Sequence, residues 1–210
     1  MTIIDVSVPI RDAMTVYRGN PAVRIRPAMT LANDGVNLSE LYLGSHTGTH
    51  VDAPSHFVEG GKGIDRLDLQ RFIGPAWVAD LRRVVGGIGA AHLRQAGIPK
   101  GSRRVLLRTR NSRLWHPARP FRTDFVYLAP DGADWMVEHG VRLVGIDYLS
   151  VEGYGVAGAP THKRLLGAGI PIVEGLDLFK VRPGRWQLVA LPLRIEGGDA
   201  GLTRAVVFTA

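Results

Sequence analysis

The sequence predicts a mixed α/β domain in which strands dominate. Short runs rich in β-branched and aromatic residues recur along the chain, each bounded by Gly, Pro, Asn or Asp, and three segments between them have helical character. The 210 residues are 45% hydrophobic and 21% charged, the ordinary range of a globular protein. That length suits one domain over residues 1–210, with a core that needs neither disulfides nor a structural metal. No internal repeat, low-complexity tract or long linker interrupts it.

In chain order the strand-like runs are TIIDVSVPI, AVRIRPAM, NLSELYLGSH, AWVADLRRV, RRVLLRTR, VRLVGIDYL, RWQLVALPLRI and RAVVFTA. GAAHLRQAG, GADWMVEHG and THKRLLGAG read as short helices, the first and last closing on Gly as helix ends often do. VRLVGIDYL is nearly continuously apolar up to Asp147, and WQLVALPL is similar, so both are expected to be buried on two faces. Pro192 demotes part of the second to an edge or bulge. Asp147, at the end of a buried strand, reads first as a satisfied turn residue and second as a site residue.

Cysteine is absent, which removes disulfides, thiol nucleophiles and cysteine zinc fingers, so any metal must be held by nitrogen and oxygen. MTIIDVSVPIRDAM does not read as a signal peptide and no run of 18 apolar residues occurs, so a cytoplasmic protein without a membrane span is expected. The net charge of +7 and the run Arg103, Arg104, Arg108, Arg110, Arg113, Arg119 and Arg122 raise nucleic-acid binding. No nucleic-acid-binding motif accompanies the charge, so it reads as a solvated basic surface or a means of attracting an anionic substrate. A non-catalytic nucleic-acid-binding protein remains the weakest reading, and no nucleic-acid partner is expected.

The densest chemistry lies in HTGTHVDAPSHF, from His46 to Phe57. Helix is disfavoured there by β-branched Thr47, Thr49 and Val51, by Gly48 and by Pro54. In an extended chain, His46, Gly48, His50, Asp52, Pro54 and His56 project to one side. That parity offers His46, His50 and Asp52 to one point, with Gly48 leaving room for an ion or substrate. Thr47 and Thr49 would face the other way and pin the backbone. Three histidines in eleven residues with a same-parity Asp point to a divalent-metal site, although any single histidine of the seven needs no such role.

The stretch resembles the signature of the metal-dependent cyclase family, H-x-G-T-H-x-D-x-P-x-H, matched here by His46, Gly48, Thr49, His50, Asp52, Pro54 and His56. The resemblance extends to IDVSVPI, VYRGNP, VGIDYLSVEG and THKRLLGAGIPIVEGL. It implies a swivelling β/β/α domain, usually a homodimer, with a site holding one or two divalent ions, zinc first and manganese as the alternative. By that resemblance His46, His50 and Asp52 hold one ion, His162 and Glu174 help hold the other, and Asp52 bridges. Read without it, His162 is a first-turn helix residue and Glu174 a solvated loop charge. His56 takes the family's general acid/base position, its other readings being a further ligand or a hydrogen-bonding neighbour.

The family includes bacterial kynurenine formamidases and isatin hydrolases, which implies a small-molecule amide substrate, N-formyl-L-kynurenine first. A cyclic amide or lactone, or ring closure in place of opening, is the alternative. Two departures bear on the pocket. Tyr17, Arg18, Gly19, Asn20 and Pro21 stand where the family commonly has Y-P-G-D-P, and Asp147, Tyr148, Leu149, Ser150 and Glu152 stand in place of D-T-P-S-x-D. Tyr17 and Trp77 are candidates for an aromatic pocket wall, set against the ordinary core role of aromatics.

Overall fold

The computed structural model describes residues 2–115 and 120–209. The chain runs through β1 (Ile3–Asp5), β2 (Arg24–Met29), the one-turn helix α1 (Leu31–Asp34), β3 (Leu38–Tyr42) and β4 (His50–Asp52). Three 3-10 turns lead to β5 (Ile73–Asp80), followed by β6 (Gly87–Ile88), α2 (Ala90–Gln95) and β7 (Arg104–Arg108). Next come β8 (Tyr127–Leu128), α3 (Pro130–Glu138), β9 (Leu143–Ile146), α4 (Pro160–Gly167) and β10 (Ile172–Glu174). The last strands are β11 (Gly184–Val189), β12 (Ala200–Leu202) and β13 (Val206–Phe208). No helix among the described residues is long and apolar enough to cross a membrane.

Nine of these strands form one sheet in the order β1-β13-β11-β5-β7-β9-β10-β4-β12. Its centre, β5 to β10, is parallel, because each successive strand is reached by a crossover carrying α2, α3 or α4. The three helices pack on one another in that order. Strand alternation then sorts the core. Val105, Leu107, Val144, Ile146 and Ile172 face the layer containing Leu93, Met136 and Leu165 of the helices. Leu106, Leu143 and Val173 face the opposite layer, with Val51, Phe72, Leu188 and Val207.

VRLVGIDYL is therefore a central strand buried on both faces, as expected. WQLVALPL is not. It pairs with β5 and β13 but is half-buried or exposed apart from Leu188 and Ala190, because an antiparallel strand outside the helical layer packs one face and leaves the other to solvent. Pro192 lies beyond the strand in an isolated bridge to Thr203, consistent with its demotion. AVRIRPAM and NLSELYLGSH are strands, but they make a separate two-stranded hairpin with an irregular register at Pro27. That hairpin leaves Met29, Leu38, Leu41 and Tyr42 exposed, with Leu31 and Val36 in its connection. GADWMVEHG is helical, starting two residues earlier at Pro130, where the missing N–H costs the first turn nothing.

Candidate metal centre

β4 lies antiparallel between β10 and β12, with His50 opposite Glu174 and Asp52 opposite Ile172. Val51 and Val173 fill the sheet's other face, so His50, Asp52 and Glu174 project together toward the side on which α4 packs. His162, in the first turn of α4, meets them there, and all four side chains are buried. Helix geometry, not extended-strand parity, brings His162 in.

Parity holds for His50 and Asp52 but fails for the rest of the motif. Gly48 is left-handed (φ +61), and Pro54–His56 is a 3-10 turn. Gly48 leaves room for the side chains of Ile10 and Val8 instead of an ion or substrate. A Cβ there would meet Ile10 Cδ1 at 2.9 Å, and a Cβ on Gly175 (φ +70) would run into the Gly48 carbonyl. The chain between His46 and His50 thus needs glycine to turn and to let the β10 exit approach. Thr49 fastens this contact, its Oγ1 donating to the Gly175 carbonyl at 2.6 Å and accepting from Val8 N at 2.8 Å. The pinning role expected of Thr49 is its actual one.

Within the cluster, His46 Nδ1 lies 2.8 Å from Asp52 Oδ1, and His50 Nε2 lies 3.3 Å from the same oxygen. His162 Nε2 lies 3.3 Å from Glu174 Oε1 and 3.7 Å from Asp52 Oδ2, while Glu174 Oε2 lies 3.6 Å from His50 Nε2. Three groups of potential ligands keep their donor atoms within 4.8 Å of one another: His46/His50/Asp52 and Asp52/His162/Glu174, which share Asp52, and His46/His56/Asp199, which shares His46 with the first. A tetrahedron with bonds of about 2.0–2.1 Å has edges of about 3.3 Å, so these separations suit a divalent ion held by nitrogen and oxygen.

Hydrogen bonding supplies an independent test of that fit. His50 Nδ1 donates to the Gly48 carbonyl at 3.0 Å, which fixes the ring and turns Nε2 to the carboxylates. His50 Nε2 and both Asp52 oxygens are buried and make no well-aligned hydrogen bond among the described residues, although His46 Nδ1 and His50 Nε2 face Asp52 Oδ1 at ion-pair distance. Leaving a carboxylate so placed costs several kcal/mol unless a cation meets it. Burial opposes charge on His50 and His162, but hydrogen bonds and charge from neighbouring carboxylates outweigh it and push both up to about 10. Burial alone would raise the Asp52 carboxyl, yet His46 and His50 hold it well below the usual carboxylate range. The cluster draws in positive charge, and a divalent ion answers that demand through the same lone pairs.

Two residues outside the sequence expectation complete the surroundings. Asp199, just before β12, has Oδ2 3.0 Å from His46 Nε2 and 3.9 Å from His56 Nδ1, and its Oδ1 accepts from Ser45 Oγ at 3.0 Å. His46 therefore sits between two carboxylates, the arrangement that orients a ligating imidazole. Nothing in GGDAG distinguishes Asp199 from an ordinary loop acid. Glu152 Oε2 accepts from Thr161 N and His162 N, capping α4 and setting the turn that carries His162. The VGIDYLSVEG resemblance drew attention to Glu152 without indicating this role. Glu174 is no solvated charge; its Oε1 accepts from Val151 N at 2.6 Å.

Above the cluster opens a cavity of about 550 Å3 with His46, His56, Glu152, His162 and Glu174 at its base. Tyr17, Phe57, Leu149 and Val156 supply apolar wall, Asn20 and Ser150 polar wall, and Lys163 a cation at the rim. Burial holds the His56 imidazole below its usual value. Of the two aromatic candidates, Tyr17 lines this cavity and Trp77 lines a different one. Asp147 is the turn residue it was first read to be. It is fully buried and accepts from the backbone and hydroxyl groups of both Thr109 and Ser112.

The Cyclase family model matches residues 4–153. This chain belongs to the cyclase family. The kynurenine formamidase of Salinibacter ruber (strain DSM 13855 / M31) is 38% identical to it over 209 residues, spanning 99% of this chain and 97% of that protein. The kynurenine formamidase of Geobacillus thermodenitrificans (strain NG80-2) is 36% identical over 205 residues, spanning 97% and 96%. A solved structure described as a "Potential Metal-Dependent Hydrolase With Cyclase Activity" superposes with TM-score 0.85 at 35% identity, covering 98% of this chain and 96% of the other. Isatin hydrolase A from Labrenzia aggregata shares the cyclase fold, with TM-score 0.82 at 22% identity over 98% and 93%.

Proposed function

We propose that the protein is a metal-dependent amidohydrolase that cleaves N-formyl-L-kynurenine to kynurenine and formate. The observation that carries the chemistry is the buried set of lone pairs on His50 and Asp52, without well-aligned hydrogen bonds, at the base of an open cavity. The substrate assignment is supported by kynurenine formamidases that align over nearly their whole length. His46, His50 and Asp52 would hold one divalent ion, and Asp52, His162 and Glu174 a second, with zinc the first choice for such nitrogen and oxygen ligands and manganese the alternative. Such ions polarise a carbonyl and acidify water at neutral pH.

The chain's own groups do the rest. His56 faces the cavity, and with its imidazole held neutral by burial it accepts the proton of the attacking water. It returns that proton to the aniline nitrogen as the C–N bond breaks, so a neutral amine leaves together with formic acid, which gives its proton to water to become formate. Phe57, Leu149 and Val156 exclude water from the aryl ring, and Lys163 offers the substrate carboxylate a counter-ion. Hydrolysis of N-formyl-L-kynurenine by purified protein tests this, before chelation, after chelation, and after return of zinc or manganese. Turnover that vanishes and returns with metal supports the assignment. No turnover by fully metal-loaded protein rejects that substrate and points to cyclic amides and lactones.

The functional unit we propose is a homodimer. Its support is the β2–β3 hairpin, whose exposed Met29, Leu31, Leu38, Leu41 and Tyr42 make an apolar surface that a second copy of the chain would cover. Light scattering coupled to size exclusion should give twice the chain mass, and a monomer at micromolar concentration would reject it. Absence of cysteine supports a cytoplasmic setting, since nothing here requires oxidation.

A further inference from the structure

The parallel strands begin, at the edge of the sheet away from the candidate metal centre, in a basic groove assembled from four separate segments of the chain. We propose that this groove binds a small phosphate monoester carrying a planar ring, of the nucleoside monophosphate kind. One of its cavities, about 440 Å3, is lined by Lys100, Arg103, Arg104, Arg185 and Trp77 and by no Asp or Glu. A second cavity of about 550 Å3 shares Arg103 and Arg104 and adds Arg71 and Arg142. Its one acid, Asp68, spends its carboxylate on Gln70 N.

None of the six cations lies within ion-pair distance of an acid among the described residues, whereas Arg82, Arg122, Arg164 and Arg204 elsewhere each do. Arg104 is buried and its guanidinium donates to the carbonyls of Gln70, Arg71 and Pro75. These acceptors fix its position without neutralising its charge. Burial together with the charges of Arg103 and Arg142 disfavours its charged form, so the groove carries unrelieved repulsion. A dianionic phosphate relieves it, and guanidinium forks match phosphate oxygens in pairs.

The planar ring follows from Trp77. It sits directly opposite Arg185 in the β5–β11 register and lines the same cavity, its indole partly buried against the helical layer and the rest open to the groove. The cavity volume falls within the range of about 300–1,000 Å3 usual for small-molecule sites. β7 and β9 enter the sheet here at Arg104 and Leu143, while Asp147, Glu152 and Glu174 lie at or beyond the far ends of β9 and β10, so the two sites are separate. The inference does not rest on the hydrolase assignment.

Calorimetric titration of the metal-loaded full chain with AMP tests it, with adenosine and inorganic phosphate as the two partial probes. AMP should bind at least tenfold more tightly than either part, and the Arg103→Glu/Arg185→Glu protein should bind it at least tenfold more weakly at unchanged kcat/KM for the amide. Arg103→Gln/Arg185→Gln, with a milder charge change, should fall between the two and checks against loss of fold. Equal AMP affinity in wild type and the charge-reversed protein overturns the proposal, as does no binding at millimolar AMP. Binding of a thymidine 20-mer more than a hundredfold tighter than AMP also overturns it, by making the groove a polynucleotide track.

Discussion

The two ends of the parallel strands solve opposite electrostatic problems. At the exit of β9 and β10, carboxylates and imidazoles are buried together with lone pairs lacking well-aligned hydrogen bonds, so they demand a cation from outside the chain. At the entrance of β7 and β9, the buried Arg104 finds three backbone carbonyls and needs no ion to keep its place, yet its neighbours remain unpaired with acids. The first site draws His46, His50, Asp52 and His56 from one motif and adds His162, Glu174 and Asp199 from elsewhere, while the second is scattered over the chain. A cluster of like residues in sequence is therefore a poor guide to a cluster in space unless the local geometry is known.

That contrast can be broken at either end. The largest effect is expected from Asp52→Ala, which removes the carboxylate shared by two of the ligand groups; amide hydrolysis should fall below detection and elemental analysis should show metal lost. Retention of full metal content would remove Asp52 from its bridging place. His56→Ala should keep the metal while lowering kcat by about 10²–10⁴, the usual worth of a general acid/base group. An empty site in that protein would make His56 a ligand instead. Both experiments read chemistry at the exit of the strands.

Smaller effects separate folding from function. Arg104→Met leaves three carbonyls without their charged donor and should cost about 1.5–3 kcal/mol in urea unfolding, with amide kcat/KM in the folded protein unchanged. A neutral outcome would mean that water replaces the guanidinium. Asp147 has its carboxyl pushed up to about 6, burial outweighing the bonds from Thr109 and Ser112. A raised value favours the protonated form in the fold, so this contribution is complete below about pH 4 and is lost as pH rises through 6. Asp147→Asn, which cannot ionise, should flatten the slope of unfolding free energy against pH between 4 and 6, by an amount on the order of 2 kcal/mol across that range. An unchanged slope would assign the buried carboxylate to its charged form throughout.

The candidate metal centre is legible in the sequence because His46, His50, Asp52 and His56 lie in HTGTHVDAPSHF and the family resemblance supplies His162 and Glu174. Period-two alternation placed His50 and Asp52 correctly, yet the turn at Gly48 and the 3-10 turn at Pro54–His56 were misread as extended chain. Glycine's freedom is visible in a sequence, but the Ile10 side chain that crowds Gly48, and the approach of the Gly48 carbonyl to Gly175, are not. Asp199 was missed for a related reason, since only the β4–β12 pairing carries a loop acid to His46. The arginine run shows the converse. Arg108 donates to the Leu178 and Phe179 carbonyls, Arg110 to the Asp124 carbonyl, and Arg122 pairs with the Asp124 carboxylate, while Arg119 lies outside the described residues. Only Arg103 and Arg104 of that run reach the basic groove, whose other members come from segments with no signal of their own.

The meeting of Gly48 with Gly175 has an implication for how such a protein diversifies. The spacing between His50 and Glu174 is set by main chain against main chain, fastened by Thr49, with no side chain of the cavity wall involved. Phe57, Leu149 and Val156 hang on loops outside that clamp. Substitutions in the wall are therefore expected to leave the candidate ion-holding frame in place, whereas a single methyl group added at Gly175 would collide with the Gly48 carbonyl and disturb the frame itself.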